Sequence, residues 1–385
     1  MIDHSAVRTS VELATFWGCA LLIAYGSAGY PLLMYGLGRL RGRRYVRRDI
    51  LPTVSLIVPA YDEAHAIKAK IANCLQLDYP KDRLEILLGS DGSTDGTAQQ
   101  IRDAAAAGRI RGIVYAHHRG KVAVLNDLVQ LASGEIIVFS DATTMIGPDS
   151  VRALVNNFAD PRVGCVSGIY RVIRTSGDRQ GELEGLYWRY ETFVRSAEAR
   201  LGTMLGGHGA LYAIRRELFE PLGPRVLNDD FAIPLRVLLK KFDAIYEPRA
   251  VALEETVEMA GFKRRIRTMV GNYQHLRLLL RREGWTRRPQ VAFQLLSHKG
   301  LRVLMPFLMV GLYGSNAALL ADPAYRLVFI AQTLFFLAGV LGVSPRLRVL
   351  GRVVIAAPYY VCMVNFAALV ALYRVAARRG AVEWS

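Results

Sequence analysis

The chain has 385 residues, 52% of them hydrophobic, and a formal charge of +16. At roughly 100–200 residues per domain, that length allows two or three units. The basic excess is arginine-rich and clusters beside apolar segments, which suits anionic lipid headgroups and argues against a nucleic-acid binder. Cys19, Cys74, Cys165 and Cys362 show neither zinc spacing nor a disulfide framework, as expected in a reducing compartment.

The first element is apolar. Val11 to Leu40 is almost free of charge after Glu12, and at about 20 residues per crossing it predicts one membrane helix. The basic run RLRGRRYVRR follows this segment instead of preceding it, so it reads as an uncleaved anchor and not as a signal peptide. Residues 45–275 have the composition of a soluble domain, residues 276–301 are expected as an interfacial amphipathic segment, and three further apolar stretches occupy 302–375 before a short tail, 376–385. With 1–44 as anchor and basic juxtamembrane segment, the positive-inside rule places the soluble domain in the cytoplasm, on the inner (plasma) membrane. Four crossings put the C-terminus outside, against the charge of Arg374, Arg378 and Arg379. Either the tail tolerates that charge or one apolar segment lies in the interface.

Within the soluble part, strand and helix signals alternate. TVSLIVPA (53–60), LEILLGS (84–90), IRGIVYAHH (110–118) and EIIVFS (135–140) read as strands. AHAIKAKIANCLQ (64–76), TAQQIRDAAAA (97–107) and KVAVLNDLVQLAS (121–133) read as helices between them. This rhythm predicts an α/β domain with a mostly parallel sheet. Polar residues then collect at one sheet edge: Tyr61, Asp62 and Glu63 after the first strand, Asp91 to Asp95 after the second, Lys121 at a helix start, and Asp141 after the fourth. A lysine at a helix N-terminus beside carboxylates suits a diphosphate with a divalent cation, Mg²⁺ or Mn²⁺, between them. Neither G-x-G-x-x-G after the first strand nor a Walker lysine motif is present, which counts against an oxidoreductase and an NTPase.

VSLIVPAYDE, GSDGSTDGT, GKVAVLN, EIIVFSDATT and LNDDFAIPLRV together resemble the inverting nucleotide-sugar glycosyltransferases of family 2, over about residues 52 to 275. The resemblance implies a GT-A (Rossmann-like) domain flanked by transmembrane helices. It implies that Pro59, Ala60, Tyr61 and Glu63 line the base and ribose, that Asp91 reads the base, and that Lys121 faces the donor. Asp141 matches the first acid of the family's D-x-D and would be the metal ligand, while Thr143 stands where the second acid belongs. Asp230 matches the catalytic base of the family's T-E-D and Asp229 the acid before it. Both also suit a helix start, where acids complement the dipole. His208 and Trp188 are acceptor-side candidates, although satisfied histidines and core aromatics are common alternatives, and Asp95 reads equally as a turn residue or a ligand. Arg267 matches the arginine of Q-x-x-R-W, where it can clamp a diphosphate or serve as membrane-surface charge. Arg264 and Thr268 replace that motif's glutamine and tryptophan, which disfavours processive synthesis.

The expected activity is transfer of a sugar from a UDP- or GDP-sugar to a lipid-linked or polysaccharide acceptor by a membrane-bound hexosyltransferase. A processive synthase of the hyaluronan or chitin type is the neighbouring alternative. A nucleotide-sensing membrane protein with a degenerate site is the non-catalytic one.

Overall fold

The computed structural model describes residues 4–173, 180–255, 261–281 and 288–377. In chain order, α1 (His4–Ala24) passes through a π turn (Tyr25–Gly29) into α2 (Tyr30–Arg41). There follow β1 (Val54–Ala60), α3 (Ala64–Leu75), β2 (Leu84–Asp91), α4 (Thr97–Ala106), β3 (Arg111–Tyr115), α5 (Lys121–Leu131) and β4 (Ile136–Phe139). The second half of the domain contains β5 (Met145–Ile146), α6 (Ser150–Val155), β6 (Val163–Ile173), α7 (Gln180–Arg200), β7 (Tyr212–Arg215), α8 (Asp229–Leu239) and β8 (Asp243–Glu255). Last come α9 (Gly261–Arg281), α10 (Pro289–Leu295), a second π turn (Leu296–Gly300), α11 (Leu301–Ala318), α12 (Pro323–Leu341) and α13 (Pro345–Ala376).

Two units result. One comprises residues 34–255 and 288–291, the other residues 4–33, 261–281 and 292–377. The first is built on an eight-stranded sheet of order β3-β2-β1-β4-β7-β6-β8-β5. Its β3-β2-β1-β4 half is parallel throughout. Every side chain of Ile136–Phe139 is buried, which explains the unbroken apolar run in β4: a strand covered on both faces has no solvent side to alternate with. The sheet is mixed beyond β4, because β7 returns antiparallel to both β4 and β6 before β6 and β8 pair in parallel. Parallel order in the first half is what matters for function. It brings the C-terminal ends of β1, β2, β3 and β4 to one edge.

The basic stretch after α2 is not left entirely to lipid. Residues 42–53 have no regular structure and run along the domain, with Val46 N–H donating to Asp160 (3.1 Å) and Ile50 N–H to Asn156 (3.3 Å). Arg43 donates to both oxygens of Asp243 (2.7 and 2.5 Å), which also receives the Tyr45 hydroxyl (3.2 Å) and Arg288 (3.4 Å). Arg47 lies 3.4 Å from the fully buried Glu247. These arginines, expected at headgroups, neutralise carboxylates that burial would otherwise penalise.

Among the described residues, four helices are long and apolar enough to cross a membrane: Ser10–Arg41, Pro289–Ala318, Pro323–Leu341 and Val354–Ala376. Small residues let the helices approach closely. A Cβ on Gly311 would sit 3.0 Å from the Cys19 sulfur, and one on Gly339 would sit 2.8 Å from that of Cys362. α9 packs on α13, with Phe262 stacked on Phe366 and the Tyr273 hydroxyl donating to the Ala368 carbonyl at 3.3 Å. The separate interfacial helix expected over 276–301 takes another form. Residues up to Arg281 belong to α9, residues 282–287 lie outside the described set, and from Pro289 the helix runs unbroken through the π turn into α11. The π turn absorbs one extra residue without breaking the helix.

Arg43→Ala leaves the buried Asp243 with weaker partners. We expect it to destabilise the domain by about 1–3 kcal/mol, read as a lower denaturation midpoint in detergent, with Arg43→Lys recovering part of the loss.

Candidate active site

The first wall of the site is made by two loops that hold each other. After β1, Asp62 adopts a left-handed backbone (φ 50°), a conformation rare outside glycine and concentrated at functional sites. Its carboxylate accepts the Thr94 N–H at 2.7 Å, and its own N–H donates to Ser93 Oγ at 3.1 Å. Glu63 N–H donates to Thr97 Oγ1 (2.8 Å), while Asp95 accepts the N–H groups of Ala64 (2.8 Å) and Thr97 (3.0 Å). Asp95 thus acts as the turn aspartate of the two readings.

Asp91, expected to read the base, lies beneath this wall. It is fully buried. One carboxylate oxygen accepts the Arg119 N–H and the other the Gly120 N–H, each at 2.8 Å, and His118 Nδ1 lies 3.0 Å away. Its charge therefore fixes the loop that opens α5, where Gly120 takes φ +91°. Pro59 and Ala60 are likewise buried strand residues, in register with Gly89 and Ser90. Of the expected base-lining group, Tyr61 and Glu63 are the partly exposed members. Tyr61 leans on His118 with ring centroids 4.1 Å apart, giving an aromatic surface that the sequence did not pair.

The second wall carries the charge. Lys121 Nζ donates to Asp141 Oδ1 at 2.8 Å and lies 3.4 Å from Asp229 Oδ1. Burial alone would lower the lysine's pKa, but the Asp141 and Asp229 carboxylates override it and the net shift is upward. Asp229 and Asp230 stand in the first turn of α8, so the helix dipole favours both anions. Asp230 is raised to about 6, by burial first and by the neighbouring Asp229 second.

Gly209 is the floor between the acids. A Cβ there would meet Asp141 Oδ2 at 3.4 Å and the Cβ and Oδ2 of Asp230 at 3.6 Å. Asp141 and Asp230, 89 positions apart in the sequence by their numbers, thus flank one bare backbone position. Gly206, with φ +79°, turns the chain into this segment, and Gly207 N–H donates to the Asp230 carbonyl at 2.7 Å. Arg195 of α7 donates to the Gly207 carbonyl at 2.8 Å and pairs with Glu191 at 3.3 Å.

His208 is buried, its ring stacked on Tyr170 at 5.4 Å and its N–H donating to Ser167 Oγ at 2.9 Å. Burial, followed by the Arg195 charge, holds its pKa well below the usual imidazole value. Neutral and enclosed, it supports the loop more directly than it offers itself to an acceptor. Trp188 lies in α7, but its side chain is outside the described residues. Arg267 belongs to α9 of the other unit.

One contributor went unnoticed in the sequence. Lys70 is fully buried, and its ammonium donates to Ser140 Oγ (2.7 Å) and the Thr144 carbonyl (2.5 Å), spanning the loop that carries Asp141. Burial lowers its pKa, partly countered by Cys74 and Asp141. A signal existed: Ile67, Lys70, Ile71 and Cys74 share the buried face of α3, and a lysine inside an apolar helical stripe asks for a buried acceptor.

Among the described residues, no group of three or more His, Cys, Asp or Glu is placed to hold a metal ion. Asp141 engages Lys121 through Oδ1 and turns Oδ2 toward Gly209. A single carboxylate oxygen suits an ion that arrives with a ligand's phosphates better than one resident in the protein.

Lys70→Met keeps the apolar stem and removes a buried charge, so stability should change by less than about 1.5 kcal/mol. The Asp141 loop loses its brace, and nucleoside-diphosphate affinity in calorimetry should fall roughly tenfold.

Comparison with known proteins agrees with this geometry. Residues 55–223 match the profile Glycosyl transferase family 2. Poly-beta-1,6-N-acetyl-D-glucosamine synthase of Staphylococcus epidermidis is 25% identical over 239 residues, covering 60% of this chain and 56% of the relative. The enzyme of the same name from Staphylococcus aureus is 25% identical over 235 residues, 59% of this chain and 56% of that one. The chain thus spans just over half the length of the curated relatives it matches. Among solved structures, the mannosyltransferase PcManGT from Pyrobaculum calidifontis, in complex with GDP-Man and Mn²⁺, superposes with a TM-score of 0.69 at 24% identity, over 91% of this chain and 97% of that one. That likeness establishes the GT-A fold.

Proposed function

The chain carries a Glycosyl transferase family 2 domain, and on that premise we propose that it is a membrane-bound inverting glycosyltransferase taking a nucleotide sugar as donor and a glycan or lipid-linked glycan as acceptor. The observation that carries this reading is the convergence of Asp141, Asp229 and Asp230 on Lys121 and the bare Gly209, at the edge where four parallel strands end.

In this mechanism Asp230 is the general base. Its raised pKa keeps it a proton acceptor strong enough to take the acceptor hydroxyl's proton as that oxygen attacks the anomeric carbon. The bond to the nucleoside diphosphate breaks on the opposite face, which inverts the configuration. Lys121 meets the negative charge gathering on the departing diphosphate, at a helix start whose N–H groups already favour anions. Asp229 and Asp141 hold the ammonium in place. A divalent ion, when bound with the donor, neutralises further phosphate charge, and Asp141 is the residue that would hold it. Tyr61 and His118 offer the nucleotide base an aromatic face.

The positive-inside pattern supports a cytoplasmic catalytic domain on the inner membrane. Both curated relatives are named as synthases of a polysaccharide, which favours polymer extension as the second reading. Product length on a gel separates it from single addition. Those relatives are named for N-acetylglucosamine and the solved neighbour was captured with GDP-Man, so both sugars belong in a donor screen.

Asp230→Asn preserves shape and removes the base. Transfer by membranes carrying it should fall about 10²–10⁴-fold while nucleotide binding persists, and retained transfer would refute the assignment. Since the base acts ionised, wild-type transfer should decline as pH falls through about 6, an acid limb absent from the residual rate of Asp230→Asn.

Calorimetry should show Mn²⁺ or Mg²⁺ binding only with nucleoside diphosphate present. Tight binding of the ion to the protein alone would contradict a donor-borne metal.

A further inference from the structure

Beside the acids of the cleft lies a buried phenol. Tyr212 opens β7, in register with Phe139 at the end of β4 and with Ser167 of β6. Its ring stacks on Phe139 with centroids 4.6 Å apart. A Cβ on Gly207 would sit 3.2 Å from the ring carbon Cγ and 3.5 Å from the Asp230 carbonyl oxygen. The side chain is fully buried, and among the described residues its hydroxyl has no hydrogen-bond partner. Burial first, then the Asp229 and Asp230 carboxylates, followed by Cys165 and Asp141, hold this phenol well above its ordinary pKa. It is therefore a neutral O–H donor, set near carboxylates to which it makes no hydrogen bond. Buried hydroxyls are nearly always paired, and an unpaired one costs stability that phenylalanine in the same space would not.

Asp229 supplies a reason to keep the hydroxyl. Lys121 holds two carboxylates that differ in their access to water: the Asp141 side chain is 38% exposed and that of Asp229 only 7%. When phosphates draw the ammonium away, water can replace it at Asp141 but scarcely at Asp229. A buried carboxylate stripped of its partner is strongly destabilising. Asp230 adds repulsion, and Arg195 is then the remaining cation acting on that acid. Tyr212 is the uncharged donor nearest to hand.

We propose that Tyr212 is a positioning residue whose partner depends on the state of the site: its hydroxyl donates to Asp229 once a bound diphosphate has taken the Lys121 ammonium. Lys121 is thereby released to the phosphates at lower cost, and Asp230 keeps a satisfied neighbour. This rests on the nucleotide-sugar reading given above.

The test is calorimetric titration of UDP and GDP, each with Mn²⁺, into the full chain in detergent, as wild type and as Tyr212→Phe. Without ligand, Tyr212→Phe should unfold at the same temperature as wild type or a higher one, because it removes an unpaired group. With ligand, its affinity should be roughly tenfold lower. The deficit should shrink as pH falls toward about 6, because an acid pair that has taken up a proton no longer needs the donor. A packing defect would instead weaken binding equally at every pH. Equal affinity at neutral pH, a deficit independent of pH, or a lowered midpoint without ligand each overturns the proposal. Wild type that binds neither UDP nor GDP overturns the nucleotide-sugar reading and this inference with it. Binding by wild type with no loss in Tyr212→Phe removes the inference alone.

Discussion

The site depends on one ammonium group. Asp141 follows a strand, Asp229 and Asp230 begin a helix, and folding brings Asp141 and Asp230 together at Gly209 while Asp141 and Asp229 meet at Lys121. Two like charges 4 Å apart at an effective dielectric constant near 20 repel by about 4 kcal/mol. Lys121 turns this conflict into an attraction by donating to Asp141 and facing Asp229. The same group then presents positive charge to an incoming diphosphate. Structural neutralisation and ligand recognition are therefore one interaction, and the arriving phosphates compete with the carboxylates for it.

Around that pair, backbone geometry does the positioning. Gly120 takes a positive φ so that α5 can begin with Lys121, and the buried Asp91 accepts the N–H groups that hold the turn. Lys70 grips the Asp141 loop from behind, while Arg195 and the Gly207 N–H secure the segment beneath Asp230. Charged side chains are used here in two ways. Those that face the cleft are arranged for chemistry, and those behind it are buried and satisfied by backbone groups.

The amino-acid sequence revealed the elements better than their surroundings. Apolar runs bounded by turn residues located β1 to β4, most plainly β1 and β4, which are buried along their whole length. The antiparallel return of β7 leaves no such mark, because four residues following a glycine turn do not declare a partner. Side chains at the cleft were legible as residue types, yet their depth was not. Asp91 reads as a ligand in its motif, and only packing shows both oxygens turned to backbone N–H groups. Lys70 was hidden for the opposite reason: it stands two positions from the exposed Lys68 in the same helix, and its stripe of Ile67, Ile71 and Cys74 is short. The π turns too escape a periodicity count, since one inserted residue barely disturbs an apolar pattern.

The claim that the carboxylates and Lys121 form a diphosphate site is most directly tested by calorimetric titration of nucleoside diphosphate, with Mn²⁺, into wild type and Lys121→Met. The account predicts that a variant that folds loses at least about tenfold in affinity, since the carboxylates then face the phosphates without a cation between them. Equal affinity in a folded Lys121→Met protein would contradict it.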